Sequence, residues 1–372
     1  MPDDIEPLPT ACVVPSDAAL RLARELLSRG EVVALPTETV YGLAADATNS
    51  AAVARIFEAK GRPAHNPLIV HVSETSTSVA AFEGDGLVRR PAVTDAMRAT
   101  ADALITSCWP GPLTLVLPRG SRIPEIVSGG LPTTGFRMPA HPVIRELLAK
   151  ANFPLAAPSA NRSNRVSPTT AAHVMYELAG RIPLVIDGGP SRVGVESTIV
   201  RVDDGGRVQL LRPGGTPIEH IERVLGTTTI PAPSPSGPVL ASGMMQEHYA
   251  PQTPLILIDA RRAEDLARRV AAVTTWKSAP RVGVLRLAGP PATPSSWIFA
   301  DHTIVTTIRS LGDHGDGALA AHGLFDAMRA LDDVTLDVIV VEAPDDQRTG
   351  LWPAIADRLQ RAGSRWNVPR PH

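Results

Sequence analysis

The sequence predicts an α/β protein of two units, on three observations. Short, nearly continuous apolar runs alternate with amphipathic helical stretches, the pattern of strands covered on both faces. Between Gly226 and Gly243 that alternation gives way to threonine, proline, serine and glycine, a linker composition. The chain has 372 residues, 44% apolar and 20% charged, which is ample for more than one core when domains run ~100–200 residues. The expected organisation is residues 1–225, a proline-, serine- and glycine-rich linker over 226–252, and a second α/β unit over 253–372.

The first helix is expected over residues 16–29. Ser16 or Asp17 can cap it, Leu20, Leu22, Leu26 and Leu27 form its apolar stripe, and Gly30 ends it. Residues 31–35 then read as a short strand running into a Pro-Thr turn. A second helix over 50–60 closes at Gly61. The apolar runs at 67–72, 113–117, 155–157, 184–186 and 198–200 read as buried strands, with helices at 142–151, 168–178 and 217–225 separating several of them. In the second unit, strands are expected at 255–258, 282–287, 303–308 and 338–341. Helices are expected at 262–273, about 318–331 and 352–362.

Composition excludes several classes of function. A net charge of −2 argues against a general nucleic-acid coat or a polybasic membrane binder. Cys12 and Cys108 form neither a metal spacing nor a disulfide framework, and they suit a reducing compartment. The acidic start Met1-Pro2-Asp3-Asp4 lacks a signal-peptide apolar region, and no apolar run approaches the roughly 20 residues that span a bilayer. A cytoplasmic protein is therefore expected. The chain carries no G-x-x-x-x-G-K-[ST] loop, no G-x-G-x-x-G after a strand, no G-x-S-x-G elbow and no H-E-x-x-H, and its histidines do not pair at metal-ligand spacings. Pattern alone stops at an α/β protein whose proline- and glycine-punctuated strand ends could form a cleft.

Seven segments then occur in order. They are Ala34-Leu-Pro-Thr-Glu-Thr-Val-Tyr-Gly-Leu43, Lys60-Gly-Arg-Pro-Ala-His-Asn-Pro-Leu-Ile-Val-His71, Trp109-Pro-Gly-Pro-Leu-Thr114, Phe136-Arg-Met-Pro139, Ala157-Pro-Ser-Ala-Asn161, Val195-Glu-Ser-Thr-Ile199 and Leu211-Arg-Pro-Gly214. Together they resemble the YrdC-type threonylcarbamoyl-AMP synthases in their long two-domain form. The second unit matches more loosely, through Gly350-Leu-Trp-Pro-Ala-Ile-Ala-Asp-Arg358. The resemblance implies a twisted mixed sheet with a concave cleft, followed by a smaller Rossmann-like α/β unit. It implies a nucleotidyltransferase reaction in which the threonine amine and bicarbonate or CO2 give a carbamate. The carbamate then attacks the α-phosphate of ATP, and the product feeds modification of the adenosine beside the tRNA anticodon. Mg2+ would arrive with ATP, held largely by phosphates. A hand-off to the tRNA threonylcarbamoyl-transferase complex would follow, with any direct tRNA contact weak or indirect.

Each candidate residue also has a plainer reading. Lys60 and Arg62 follow a helix end, where cations interact favourably with the dipole; the resemblance assigns both to catalysis and, with Asn66, to ATP. Thr39 sits in a turn where threonine often satisfies local backbone, and His71 ends an apolar strand as core histidines do. The resemblance places both at threonine. Arg137, between Phe136 and Met138, needs a partner in so apolar a setting. A structural salt bridge and a bidentate clamp on the threonine carboxylate both supply one. Ser159 and Asn161 fit turn chemistry, and Ser167 before Pro168 reads as a helix N-cap, whose free N–H groups suit a phosphate. By resemblance Thr133, Ser159, Asn161, Ser167 and Arg212 face ATP, and Ala157 and Ser197 face threonine. Family members carry Pro-Gly-Met and a basic residue before His-Tyr-Ala-Pro. Here Ser242-Gly-Met-Met-Gln-Glu247 precedes His248-Tyr249-Ala250-Pro251, so Tyr249 is expected as a lid residue over the nucleotide on an altered approach. No side chain stands out as a general base. Two other readings are a non-catalytic RNA-binding module, opposed by the near-neutral charge and 4% aromatics, and a carbamoyl-adenylate enzyme of the same fold.

Overall fold

The computed structural model describes residues 9–75, 77–231, 249–258, 280–287, 304–311, 316–342 and 349–364. The expected helix at 262–273 and the altered stretch 242–248 lie outside the described residues. The chain divides into two units, Met1–Ser163 with Ser167–Met244, and Asn164–Val166 with Met245–His372.

The first unit runs β1 (Ala11–Val13), α1 (Asp17–Ser28), β2 (Val33–Leu35), β3 (Gly42–Asp46), α2 (Ser50–Lys60), β4 (Ile69–His71), α3 (Val79–Gly84), α4 (Asp95–Cys108), β5 (Leu113–Pro118) and α5 (Glu125–Ser128). It continues through β6 (Thr133–Arg137), α6 (Pro142–Lys150), β7 (Leu155–Ala156), α7 (Ala171–Leu178), β8 (Leu184–Ile186), β9 (Thr198–Val202), β10 (Val208–Arg212), α8 (Ile218–Leu225) and β11 (Ile230–Pro231). Its strands form one mixed sheet in the order β1-β8-β2-β3-β7-β4-β6-β5-β9-β10-β11. β11 pairs parallel with β10, so the sheet extends past residue 225, where composition placed the linker's start.

Strand alternation divides the middle of this sheet into two faces. Leu68, Val70, Leu113, Leu115, Leu117, Phe136, Val200 and Val202 belong to one core together with side chains of α2, α4 and α7. The intervening residues turn the other way. Ile69, Val116, Ile199 and Leu211 make a small separate apolar cluster there, and His71, Thr114 and Arg137 fall on the same side by alternation. The strands read as continuous apolar runs because even this second face carries apolar residues among its polar ones.

Local chemistry fixes the elements nearest the site. α1 is capped by the Ser16 hydroxyl, which accepts from Ala19 N. The Asn49 side chain accepts from Ala51 N and Ala52 N at the start of α2, and Gly61 ends that helix at φ 60°. That left-handed turn, easy for glycine, delivers Lys60 and Arg62 at the helix end. The expectation that Ser167 caps the next helix is corrected. α7 begins three residues later, where the Thr170 side chain accepts from His173 N. The Ser167 hydroxyl instead donates to Glu196 Oε1 at 2.6 Å; a carboxylate is the stronger acceptor partner.

The second unit contains β12 (Leu255–Ile258), β13 (Arg281–Arg286), β14 (Ile304–Ser310), α9 (Gly317–Asp332), β15 (Val338–Glu342) and α10 (Trp352–Ala362). Its strands form a parallel sheet in the order β12-β15-β13-β14. It also holds the tripeptide 164–166. Ala250 N donates to Asn164 O at 2.8 Å, and the Arg329 guanidinium donates to Val166 O.

Candidate active site

Two groups of buried polar side chains meet on the segment 36–42. The first group centres on Arg137, at the end of β6. Its Nε donates to Gly111 O at 3.2 Å and its Nη1 to Thr39 Oγ1 at 3.0 Å. Its Nη2 lies 2.6 Å from Glu38 Oε1, with both side chains 4% exposed. The salt bridge that sequence reading left open therefore exists, and its partner is Glu38. A guanidinium carries five N–H bonds, so donors remain for an incoming carboxylate. β4 and β6 pair His71 with Arg137 directly. Burial first, and the Arg137 charge second, hold the His71 imidazole down at about 3. It is therefore neutral at pH 7, and among the described residues its buried Nδ1 has no hydrogen-bond partner.

Ser197 and Arg212 adjoin this group. Thr114 Oγ1 and Ser197 Oγ share a hydrogen bond of 2.8 Å. Arg212 Nη2 donates to Ser197 O at 2.8 Å and reaches Ser197 Oγ at 3.3 Å. Glycine is required where Leu211-Arg-Pro-Gly214 passes Glu196-Ser-Thr198. A Cβ on Gly214 would stand 2.3 Å from Ser197 C and from Thr198 N.

The second group surrounds Lys60. Its buried Nζ donates to Ser159 O at 2.5 Å and to Asn161 O. Desolvation, reinforced by the Arg62 charge, pushes the Lys60 ammonium well below the usual lysine range. Arg62 Nη2 donates to Pro67 O at 3.0 Å and its Nε to Asn66 O at 3.3 Å. Asn66 and Asn161 are buried, and the Asn161 side chain donates to Arg162 O at 2.7 Å.

The segment 36–42 joins the groups because its backbone is held at several points. Val193 N and Gly194 N donate to Glu38 O and Thr39 O, while Ala160 N and Leu43 N donate to Tyr41 O and Pro158 O. The Thr37 hydroxyl donates to Val40 O at 2.6 Å and shares a 2.8 Å bond with Thr39 Oγ1. Ala157 is buried where its N–H donates to Ile69 O.

The structure thus brings Thr39, His71, Arg137, Ser197 and Arg212 to one group, and Lys60, Arg62, Asn66, Ser159 and Asn161 to the other. Ser167 joins the first through Glu196. Thr133 stands apart. It pairs with Pro118 at the far end of β6, about 13 Å along the strand from Arg137, though on the same face. Tyr249 belongs to the second unit, where its ring stacks on Phe325 at 5.8 Å and Arg358 lies over it at 5.1 Å. Sequence reading did not single out Glu38, Thr114, Glu196 or the Gly111 carbonyl. Glu38 was accessible to it. A carboxylate within an apolar strand-end segment needs a partner, as Arg137 did.

A family model described as telomere recombination, covering Sua5, YciO and YrdC proteins, matches residues 25–214. A second, described as the threonylcarbamoyl-AMP synthase C-terminal domain, matches residues 216–364. The chain is 38% identical to the threonylcarbamoyl-AMP synthase of Pyrococcus abyssi, over 92% of this chain and 93% of that protein. It is also 38% identical to that of Bacillus subtilis, over 93% of each. Among solved structures, a crystal structure of P. abyssi Sua5 complexed with L-threonine is similar at TM-score 0.78 and 35% identity, covering 96% of this chain and 97% of that one.

Proposed function

The chain belongs to the threonylcarbamoyl-AMP synthase family, in its two-domain form, and we propose that it joins L-threonine, bicarbonate or CO2, and ATP into threonylcarbamoyl-AMP and pyrophosphate. One observation supports this reading best. A buried Arg137–Glu38–Thr39 group suited to an amino acid and a buried Lys60–Arg62 group suited to phosphate are tied to one backbone segment.

Arg137 takes the threonine carboxylate through its remaining N–H bonds. Neutral His71 offers Nδ1 to the substrate hydroxyl, and Thr39, Ala157 and Ser197 line the same end. Lys60 and Arg62 face the phosphates, with Asn66, Ser159 and Asn161 as neighbours; Arg212, Ser167 and Thr133 are assigned to the nucleotide by resemblance. A polyphosphate beside Lys60 restores the charge that burial disfavours. The carbamate oxygen forms its bond to the α-phosphorus as the bond to the bridging oxygen breaks and pyrophosphate leaves. The cations stabilise charge on the equatorial and departing oxygens. Mg2+ accompanies ATP. Its ligands are principally the phosphates. Tyr249 is assigned to the nucleotide by resemblance.

The product is an activated acyl-adenylate, which a tRNA threonylcarbamoyl-transferase complex would consume in the cytoplasm. Among the described residues no helix is long and apolar enough to cross a membrane. The test is pyrophosphate release with each substrate omitted in turn. Release should require L-threonine, bicarbonate and Mg-ATP together, and Lys60→Ala should lower kcat/KM at least tenfold, about 1.4 kcal/mol. Release indifferent to threonine would sink the reading, and salt-sensitive RNA binding without turnover would favour an RNA-binding module instead.

A further inference from the structure

We infer that Glu38 is the catalytic group that receives the threonine ammonium and takes its proton, freeing the amine to form the carbamate. This rests on the synthase reading above. Glu38 is 3% exposed, and among the described residues neither of its carboxylate oxygens accepts a hydrogen bond. Among the described residues its charged partner is Arg137 Nη2, at 2.6 Å from Oε1, an ion pair off the hydrogen-bonding direction.

A buried pair serving stability alone ordinarily has its remaining lone pairs satisfied, because desolvated charge is otherwise costly. Here an anion with room for several donors stands unfilled beside the guanidinium that receives the substrate carboxylate. An α-amino acid presents a carboxylate and an ammonium on one carbon. An Arg–Glu pair complements both at that spacing. The carboxylate is held firmly, because Val193 N and Gly194 N fix the backbone of residues 38 and 39 and the Thr37 hydroxyl closes the turn.

The chemistry needs such a group. At neutral pH the threonine amine is protonated and has no lone pair to offer. Glu38 accepts one ammonium proton. The freed pair forms the N–C bond to CO2 while one C=O π pair moves to oxygen, and a second N–H proton passes to water, leaving the carbamate. Glu38 then returns its proton to solvent. Threonine bound to Arg137 and Glu38 is held in the orientation this attack requires.

The titratable groups facing Glu38 are Arg137 from β6, His141 at the start of α6 and, beside Arg137, His71 from β4. Burial lowers both histidines, so neither changes charge between pH 7 and 9. Lys60, lowered by burial, titrates alike in both chains, so a climb seen in the variant and absent from the parent reports the amine.

The experiment compares the full chain with Glu38→Gln, following pyrophosphate release from pH 6.5 to 9 at saturating Mg-ATP, with bicarbonate adjusted at each pH to hold dissolved CO2 constant. The variant should be at least thirtyfold slower at pH 7. Its rate should climb close to tenfold per pH unit as free amine accumulates, whereas the parent is nearly flat. A variant keeping the parent's flat profile, whatever its KM, would overturn the proton role. Should Glu38→Gln fail to give a cooperative melt, the parent chain decides. 2,3-Dihydroxybutanoate, which carries a hydroxyl in place of the ammonium, should inhibit at least tenfold more weakly than L-threonine binds. Inhibition as tight as threonine binding would overturn the ammonium contact. Absence of threonine-dependent release by the parent would instead remove the synthase reading itself.

Discussion

His71 illustrates how a single residue's setting becomes measurable. Its imidazole is buried beside Arg137 and held down at about 3, while in the unfolded chain it titrates near 6.5. Between those values the unfolded state binds more protons, so stability is complete above about pH 6.5 and falls as the pH drops. At pH 5 the loss attributable to this one group is about 2 kcal/mol. Urea unfolding at pH 7 and pH 5 should show that loss in the parent and a clearly smaller one in His71→Gln. The same pH dependence in both chains would mean that another group titrates. The residue scale is also where sequence reading fell short. The resemblance supplied Arg137 and Thr39, but not Glu38, because pairing across 99 positions is a property of the sheet and its loops rather than of either segment. Ser167 shows the reverse. Ser-Pro before a helical stretch is a sound capping signal, yet the hydroxyl found a carboxylate 29 positions away and left Thr170 to cap the helix.

Among the elements, the passage of the chain after β10 over the start of β9 is demanding. Gly214 lies against the backbone of Glu196, Ser197 and Thr198, so an added methyl would overlap main-chain atoms that cannot swing aside. Gly214→Ala should therefore displace Arg212 and Ser197 together. A stability loss of about 1–3 kcal/mol, as for overpacking, is expected in thermal unfolding, with at least tenfold slower pyrophosphate release. A variant of parental stability and rate would show that the strands can shift apart at no cost. Such close approach brings together two segments of the family pattern that are separated in sequence. α4, missed in sequence reading, has a plainer cause. Thr106, Ser107 and Cys108 blur its apolar stripe, and its core side chains Met97, Ala101, Leu104 and Ile105 are spread over three turns among polar neighbours.

For the whole molecule, the contribution of the second unit can be tested. Ser163 N donates to Lys60 O in the first unit, and the next three residues belong to the second. They receive hydrogen bonds from Ala250 N and Arg329. A chain ending after Pro231 keeps β11 but loses those donors. It should retain a cooperative thermal transition, since the cores of the first unit are intact, while pyrophosphate release falls at least tenfold through a loosened 159–166 stretch. Full activity in the shortened chain would show that this stretch needs no support from the second unit.

By itself the sequence determined the α/β class, the two-unit organisation and most strands, because apolar periodicity is local and survives any arrangement of the pieces. It also carried the family pattern, whose segments are continuous in the chain. The tertiary structure alone decided which of those segments meet. It set Glu38 against Arg137, laid Gly214 on Ser197, brought Lys60 beneath the Ser159 and Asn161 carbonyls, and gave 164–166 to the second unit. These are long-range pairings: a polar group or a close backbone passage, once buried, must be matched by a complement far along the chain, and no local pattern encodes which complement that will be.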